Sequence, residues 1–324
     1  MPWGLRHRHR RQARLGLNRR FLLEWALVGA LAAGAVLFSP ANVLTERSSL
    51  LIYDALLSHM TVSPVSSQVV IVAIDEPSLA QLGRWPWPRA THAALLAQLA
   101  KAKPAAVVFD VLFTEPGNGD AELAQSMRLV PTYLPQLIDR EPADGGEPSA
   151  LEPVPPLRAA SAGIGHLELA VDLDGIVRSV ALVAANKHAS WPSLTVPVYR
   201  ALRGPNASLP DMHGTSQDKP HAAGELTQTH RMLIPFSPSS AAYPQVSFAA
   251  VMQGSVPPEF FRGKVVLVGA TADGLHDRFA TPIAGEAGYL PGVNIHATIL
   301  DALLGGRSIQ TARRTPVARA RVPP

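Results

Sequence analysis

The chain has 324 residues and no cysteine, which excludes disulfides, thiolate catalysis and cysteine-based zinc sites. Its formal charge of +4 comes from the ends: residues 1–20 carry seven arginines and 307–324 carry five, with no acid in either. Removing those twelve from 29 basic residues leaves 17 against 25 acidic ones, about −8, so a nucleic-acid partner is not expected.

A basic arm, residues 1–20, precedes the run FLLEWALVGALAAGAVLF, residues 21–38, whose single acid is Glu24. Eighteen residues at 1.5 Å rise just span a bilayer core. The run predicts one transmembrane helix in the inner (cytoplasmic) membrane, with the arginines holding the N-terminus in the cytoplasm. The main domain, 44–306, is then periplasmic or extracellular. A cleaved signal peptide and a buried core helix are the alternatives; VLFSPANVLT lacks a clean small-x-small cleavage site.

Residues 44–60 have apolar positions at helical spacing. QVVIVAI (68–74) reads as a strand, RATHAALLAQLAKA (89–102) as an amphipathic helix and AAVVFDVLF (105–113) as a second strand. Together they predict a right-handed βαβ unit with parallel strands. Asp120 marks a helix start, and residues 139–156 read as an exposed loop. Residues 164–184 predict two strands around an Asp-Gly turn, and 190–202 a helix. Residues 203–230 read as a second exposed loop, followed by the short strand RMLIPFS and the short helix VSFAAVMQG. KVVLVGATADG (264–274) is a third strong strand; GVNIHATILDALLGG (292–306) is an amphipathic helix closed by Gly-Gly. Residues 307–324 read as a disordered basic tail. The fold class expected is α/β: the membrane helix, then a three-layer-like domain with a largely parallel or mixed central sheet.

The three strong strands end in Asp75 and Glu76, in Asp110, and in Thr271 and Asp273. In one parallel sheet these groups share the carboxyl edge, where open α/β sheets bind ligands. The plainer reading is that the acids cap helices or fix loops. In WPWPR, Trp85 and Trp87 offer stacking surfaces and Arg89 an anion partner. The plainer reading again is a rigid plug, with the two rings on opposite sides of an extended segment. All eight residues are ligand-binding candidates.

DLDG (172–175) is similar to the nucleophile motif of haloacid dehalogenase-like phosphatases, which makes a metal-dependent phosphohydrolase using Asp172 and Asp174 the alternative from another class. Ile176 replaces the motif's usual Thr, and a β-turn explains the stretch better. His276, Asp277 and Arg278 follow the third strand and His296 lies on the last helix; a His/Asp metal pair among them is conceivable, but no HxxxH or HExxH spacing supports one. No nucleophile elbow, Walker loop or GxGxxG is present. No cofactor, metal or catalytic residue is expected.

The series IVAIDEPSLAQLGRWPWPRATHAALLAQL, AAVVFDVLFTEPGNGDAELA, DLDGIVRSVAL, KVVLVGATADGLHDRFATP and GVNIHATILDALL strongly resembles the second CHASE family. These are extracellular sensory domains associated with cyclases and histidine kinases in bacterial receptors. The resemblance implies a membrane-anchored extracytoplasmic domain that binds a small-molecule signal and is not an enzyme. Such domains usually continue into further membrane helices and a catalytic output. This sequence ends at GGRSIQTARRTPVARARVPP, so the expectation is a sensor that lacks its own output. A homodimer, or a partner receptor or output protein, would then carry the signal. A purely structural envelope protein is the remaining alternative.

Overall fold

The structure is a computed structural model in which residues 19–38, 53–55, 57, 66–142, 145–211, 226–236, 243–283 and 289–309 are described. The chain divides into two compact units, 1–53 and 54–324. In the first, the apolar run folds as helix α1 (Arg19–Phe38). Phe21, Leu23, Trp25, Leu27, Val28 and Leu31 of α1 are exposed. Among the described residues no helix is long and apolar enough to cross a membrane. The structure therefore does not bear out the transmembrane helix expected at 21–38. Of the expected helix 44–60, residues 53–55 and 57 are helical and the remainder lies outside the described residues.

In the second unit the expected βαβ unit forms as β1 (Val69–Ile74), α2 (Glu76–Leu82), α3 (Arg89–Ala102) and β2 (Ala106–Asp110). Then come α4 (Asp120–Met127), β3 (Thr132–Asp139), β4 (Ser149–Leu151), α5 (Pro155–Ala160) and β5 (Gly163–His166). The middle of the chain gives β6 (Ala170–Val171), β7 (Val177–Ala185), β8 (Ser190–Pro192), α6 (Thr195–Arg203) and β9 (Thr227–Leu233). The last part gives β10 (Gln245–Ser247), α7 (Phe248–Met252), β11 (Val265–Ala270), β12 (Arg278–Phe279), β13 (Leu290–Pro291) and α8 (Gly292–Leu304).

The central sheet runs β10-β1-β11-β2-β3-β4, with β5 also on β3. Every pairing is parallel except β3 with β4. All six residues of β1 are buried, as a parallel strand covered on both faces requires. Its side chains alternate between two layers. Val70, Val72 and Ile74 join Leu95, Leu96 and Leu99 of α3 with Phe248 of α7, while Val69, Ile71 and Ala73 join Val293, Ala297 and Leu300 of α8. Burying each such Leu or Phe stabilises the fold by about 1.5–3 kcal/mol.

A second, antiparallel sheet places β6, β8 and β9 around β7. Its Val180, Leu182 and Met232 pack on Ile295, Ile299 and Leu303, the other face of α8. This helix therefore lies between two sheets, and all thirteen of its residues are buried. The expected amphipathic helix is buried around its whole circumference because no face meets water, and its polar residues Asn294, His296, Thr298 and Asp301 are buried with it. Gly165 of β5 makes the junction close: a Cβ there would lie 2.6 Å from the Leu194 backbone.

Other departures are local. The 139–156 loop contains β4, and the 203–230 loop ends in β9, because β3 and β7 each offer an edge that short segments complete. The turn at 172–176 joins β6 to β7 as expected, while Gly163–His166 belongs to the central sheet. Ordered structure continues past 306: Arg307 pairs with Asp301 at 2.6 Å, and Ile309 bridges Leu233. Residues 310–324 of the expected tail lie outside the described residues.

Candidate functional site

Neighbouring parallel strands bring the predicted residues to one edge. Ala73 pairs with Gly269, and Gly269 with Asp110, so the ends of β1, β11 and β2 lie side by side. The eight candidates then divide between two clefts on that edge. Asp75, Glu76, Thr271 and Asp273 line one of about 410 Å³. Trp85, Trp87, Arg89 and Asp110 line another of about 340 Å³, together with His92 and Asp277. Both fall in the range of small-molecule sites.

In the first cleft the acids are largely committed to structure. Asp75 is the N-cap of α2: its Oδ1 accepts from Ser78 N at 2.9 Å, Ser78 Oγ at 2.5 Å and Ser247 Oγ at 2.9 Å. The plainer reading of Asp75 as a cap describes this geometry. Glu76 Oε1 accepts from Asp273 N at 3.2 Å, and the Asp273 carboxylate is paired with Arg278.

In the second cleft, Trp87 is 3 % exposed and donates from Nε1 to Gly83 O at 2.9 Å. Its ring centroid is 4.7 Å from Phe248. Trp87 is thus the plug. The expectation that the two tryptophans point apart fails: their rings meet edge to face at 5.1 Å, and both pack on His92. Residues 84–86 form a bend, so the alternation of an extended segment does not apply. The Trp85–Pro86 peptide is cis. Trp85 stays half-buried and lines the cleft.

Arg89 does not offer its charge freely. Nε donates to Asp120 Oδ1 at 2.9 Å, Nη2 to Glu115 O at 2.8 Å, and the guanidinium lies over the Phe113 ring at 4.6 Å. Arg89 therefore braces the loop before α4 against the start of α3. Asp120 also accepts from Gly117 N, so it holds the loop that leads into the helix.

Asp110 Oδ2 is buried and has no hydrogen-bond partner among the described residues. Burial pushes its pKa up to about 7. Asp277 is raised to about 6, by burial first and then by repulsion from Asp110. Its carboxylate lies where a side chain on Gly292, the first residue of α8, would otherwise sit: a Cβ there would be 2.7 Å from Oδ2. His296, one turn further on and buried, is lowered to about 4 by burial, with Asp277 opposing. His92 is also lowered to about 4, by burial and then by Arg89. In the sequence Asp277 and His296 stand out together with His276 and Arg278, and nothing there chooses a pair among them. The grouping of Asp277 and His296 with Asp110 and His92 is not legible there, because it depends on β2, the loop after β11 and two helices meeting. Among the described residues no group of three or more His, Asp or Glu suits a metal ion.

The DLDG turn serves a different end. The side chain of Arg178 of β7 is 2 % exposed and binds three carboxylates. Its Nε and Nη2 bind Asp54 at 2.8 and 2.6 Å, and its Nη1 binds Asp172 at 2.9 Å. Asp174 accepts from Nη1 at 2.9 Å and Nη2 at 2.8 Å. Both acids of the supposed nucleophile motif bind this arginine, which no local pattern around position 178 singles out.

Two clefts thus lie at the carboxyl edge of a largely parallel α/β sheet, the edge at which open sheets of this kind bind ligands. The sequence matches the CHASE2 domain family over residues 27–324, and the chain belongs to that family. It is a family of sensory, non-catalytic domains of signalling receptors. No curated protein and no solved structure is significantly similar to the chain.

Proposed function

We propose that the chain is the membrane-anchored, extracytoplasmic ligand-sensing part of a bacterial signalling receptor. The observation that carries this reading is the pair of clefts at the carboxyl edge of the central sheet in a chain of a sensory family. The anchor reading rests on the run 21–38 and its arginine-rich flank, and the exposed apolar side chains of α1 support it. Ligand binding acts by favouring one arrangement of the domain, to the extent that the ligand binds two arrangements unequally. Asp54, held by Arg178, follows closely on the anchor in sequence and is the natural point of coupling. A homodimer or a partner protein would carry the signal onward.

Two measurements test the reading. Reporter enzymes that are active only outside the cytoplasm, fused after residue 306, should be active; activity only of cytoplasmic reporters would overturn the topology. A metabolite screen by thermal shift on the full chain in detergent should find a small molecule that raises the melting point. No shift across a broad screen favours a structural envelope protein instead.

A further inference from the structure

The cleft beside Trp85 carries an unbalanced set of groups. Its lining presents Asp110 and Asp277, both acidic, and the imidazole of His92. Asp110 Oδ2 and His92 Nδ1 are buried with no hydrogen-bond partner among the described residues, and His92 is 1 % exposed. Buried polar atoms are almost always paired, so two orphans lining one cleft point to a missing partner. The cationic side chain in the lining, Arg89, is committed to Asp120, Glu115 and the Phe113 face. What remains on offer is acceptors: two carboxyl groups and one neutral imidazole nitrogen. Around them stand the half-buried ring of Trp85 and the apolar Leu112 and Leu275.

We propose that this cleft binds a primary ammonium compound with a short apolar or aromatic arm. The ammonium donates to Asp110, Asp277 and His92, and the arm lies along Trp85 and Leu112. Three N–H donors match three acceptors, which a quaternary ammonium does not. A cation also removes the mutual repulsion of the two carboxylates, and the face of Trp85 adds a favourable surface for positive charge. This rests on the ligand-sensing reading and names the ligand class for it.

Binding an ammonium ion requires both carboxyl groups ionised, so affinity falls with acidity across the range where they take up protons. The charged and titratable groups facing them are Arg89 and His92 from α3 and His296 from α8, with His166 beyond His296. The three histidines are lowered to about 4 and stay neutral above pH 5.5, so the two carboxyl groups set the pH response there.

The test is calorimetric titration of the full chain in lipid nanodiscs with 2-phenylethylamine, 2-phenylethanol and phenylacetate. The amine is expected to bind, with the alcohol and the carboxylate each weaker by about tenfold or more. Amine binding should weaken by about a hundredfold between pH 8 and pH 5.5, because carboxyl groups that titrate at about 7 and about 6 must both be ionised. It should be lost in Asp110→Asn/Asp277→Asn, a change that removes buried charge without changing shape. It should also be lost in Leu112→Trp, which fills the mouth and leaves the acids in place. If the alcohol or the carboxylate binds as tightly as the amine and Leu112→Trp blocks it, the ammonium assignment fails while ligand sensing stands. Amine binding that survives the double Asn change, or no binding of the amine at all, overturns the inference.

Discussion

Replacing Arg178 by leucine tests whether the DLDG turn is held by ion pairing. The Arg178 side chain is 2 % exposed and supplies five hydrogen bonds to Asp54, Asp172 and Asp174. Removing one side of a buried ion pair costs about 3–5 kcal/mol, because the orphaned charges stay where they are. Here the three carboxylates are 18, 20 and 36 % exposed, so water partly solvates them once Arg178 is gone. The expected loss is therefore at the low end, about 3 kcal/mol. For a domain of this size that is roughly 6–12 °C in melting temperature. The assay is thermal and urea unfolding of the full chain in detergent, wild type beside Arg178→Leu.

The pH dependence sharpens the test. Hydrogen bonding to Arg178, more than any other cause, holds the Asp174 carboxyl below its ordinary value. A depressed folded-state pKa contributes stability that is present above the unfolded value near 4 and lost as pH falls through the folded one. The gap between wild type and Arg178→Leu should thus be full at pH 7 and shrink below about pH 4. A loss under about 1 kcal/mol at pH 7, or a gap that widens in acid, would refute the reasoning.

Three more outcomes follow from the packing and the cleft. Trp87→Ala should cost about 3–5 kcal/mol, measured by urea unfolding, because Trp87 is 3 % exposed and seated on Phe248, whereas Trp85→Phe should cost about 1 kcal/mol or less. Gly165→Ala should fail to accumulate as folded protein, because its Cβ would lie 2.6 Å from the Leu194 backbone; normal yield and melting point would remove the close-approach argument. Asp110, raised to about 7, binds a proton in the folded state that the unfolded chain has released, so stability falls as pH rises from about 4 to 7. Asp110→Asn should therefore gain on wild type over that range in pH-dependent melting, with Arg89, His92, Asp277 and His296 as the surrounding titratable or charged groups.

The sequence by itself determined the local elements and the edge they create. The helix expected at 89–102 is found as Arg89–Ala102, and the β-branched runs became β1, β2 and β11, since apolar periodicity is a property of neighbouring residues. Ending three parallel strands in polar residues placed Asp75, Asp110 and Thr271 along one line before any contact was known. The family was legible for the same reason: five motifs in order survive in the linear text. Tertiary structure alone decided what each polar group does. Asp75 and Asp110 both end strands, yet Asp75 caps α2 while Asp110 keeps an oxygen unpaired, because Ser78 and Ser247 reach only the first. Asp172 and Asp174 lost their catalytic look once Arg178 and the distant Asp54 closed on them. Helix α8 changed from amphipathic to wholly buried because a second sheet covers the face that one sheet leaves bare. A residue's partners and its dielectric surroundings are set by chain segments far away in sequence, and those two quantities separate a cap from a binding group.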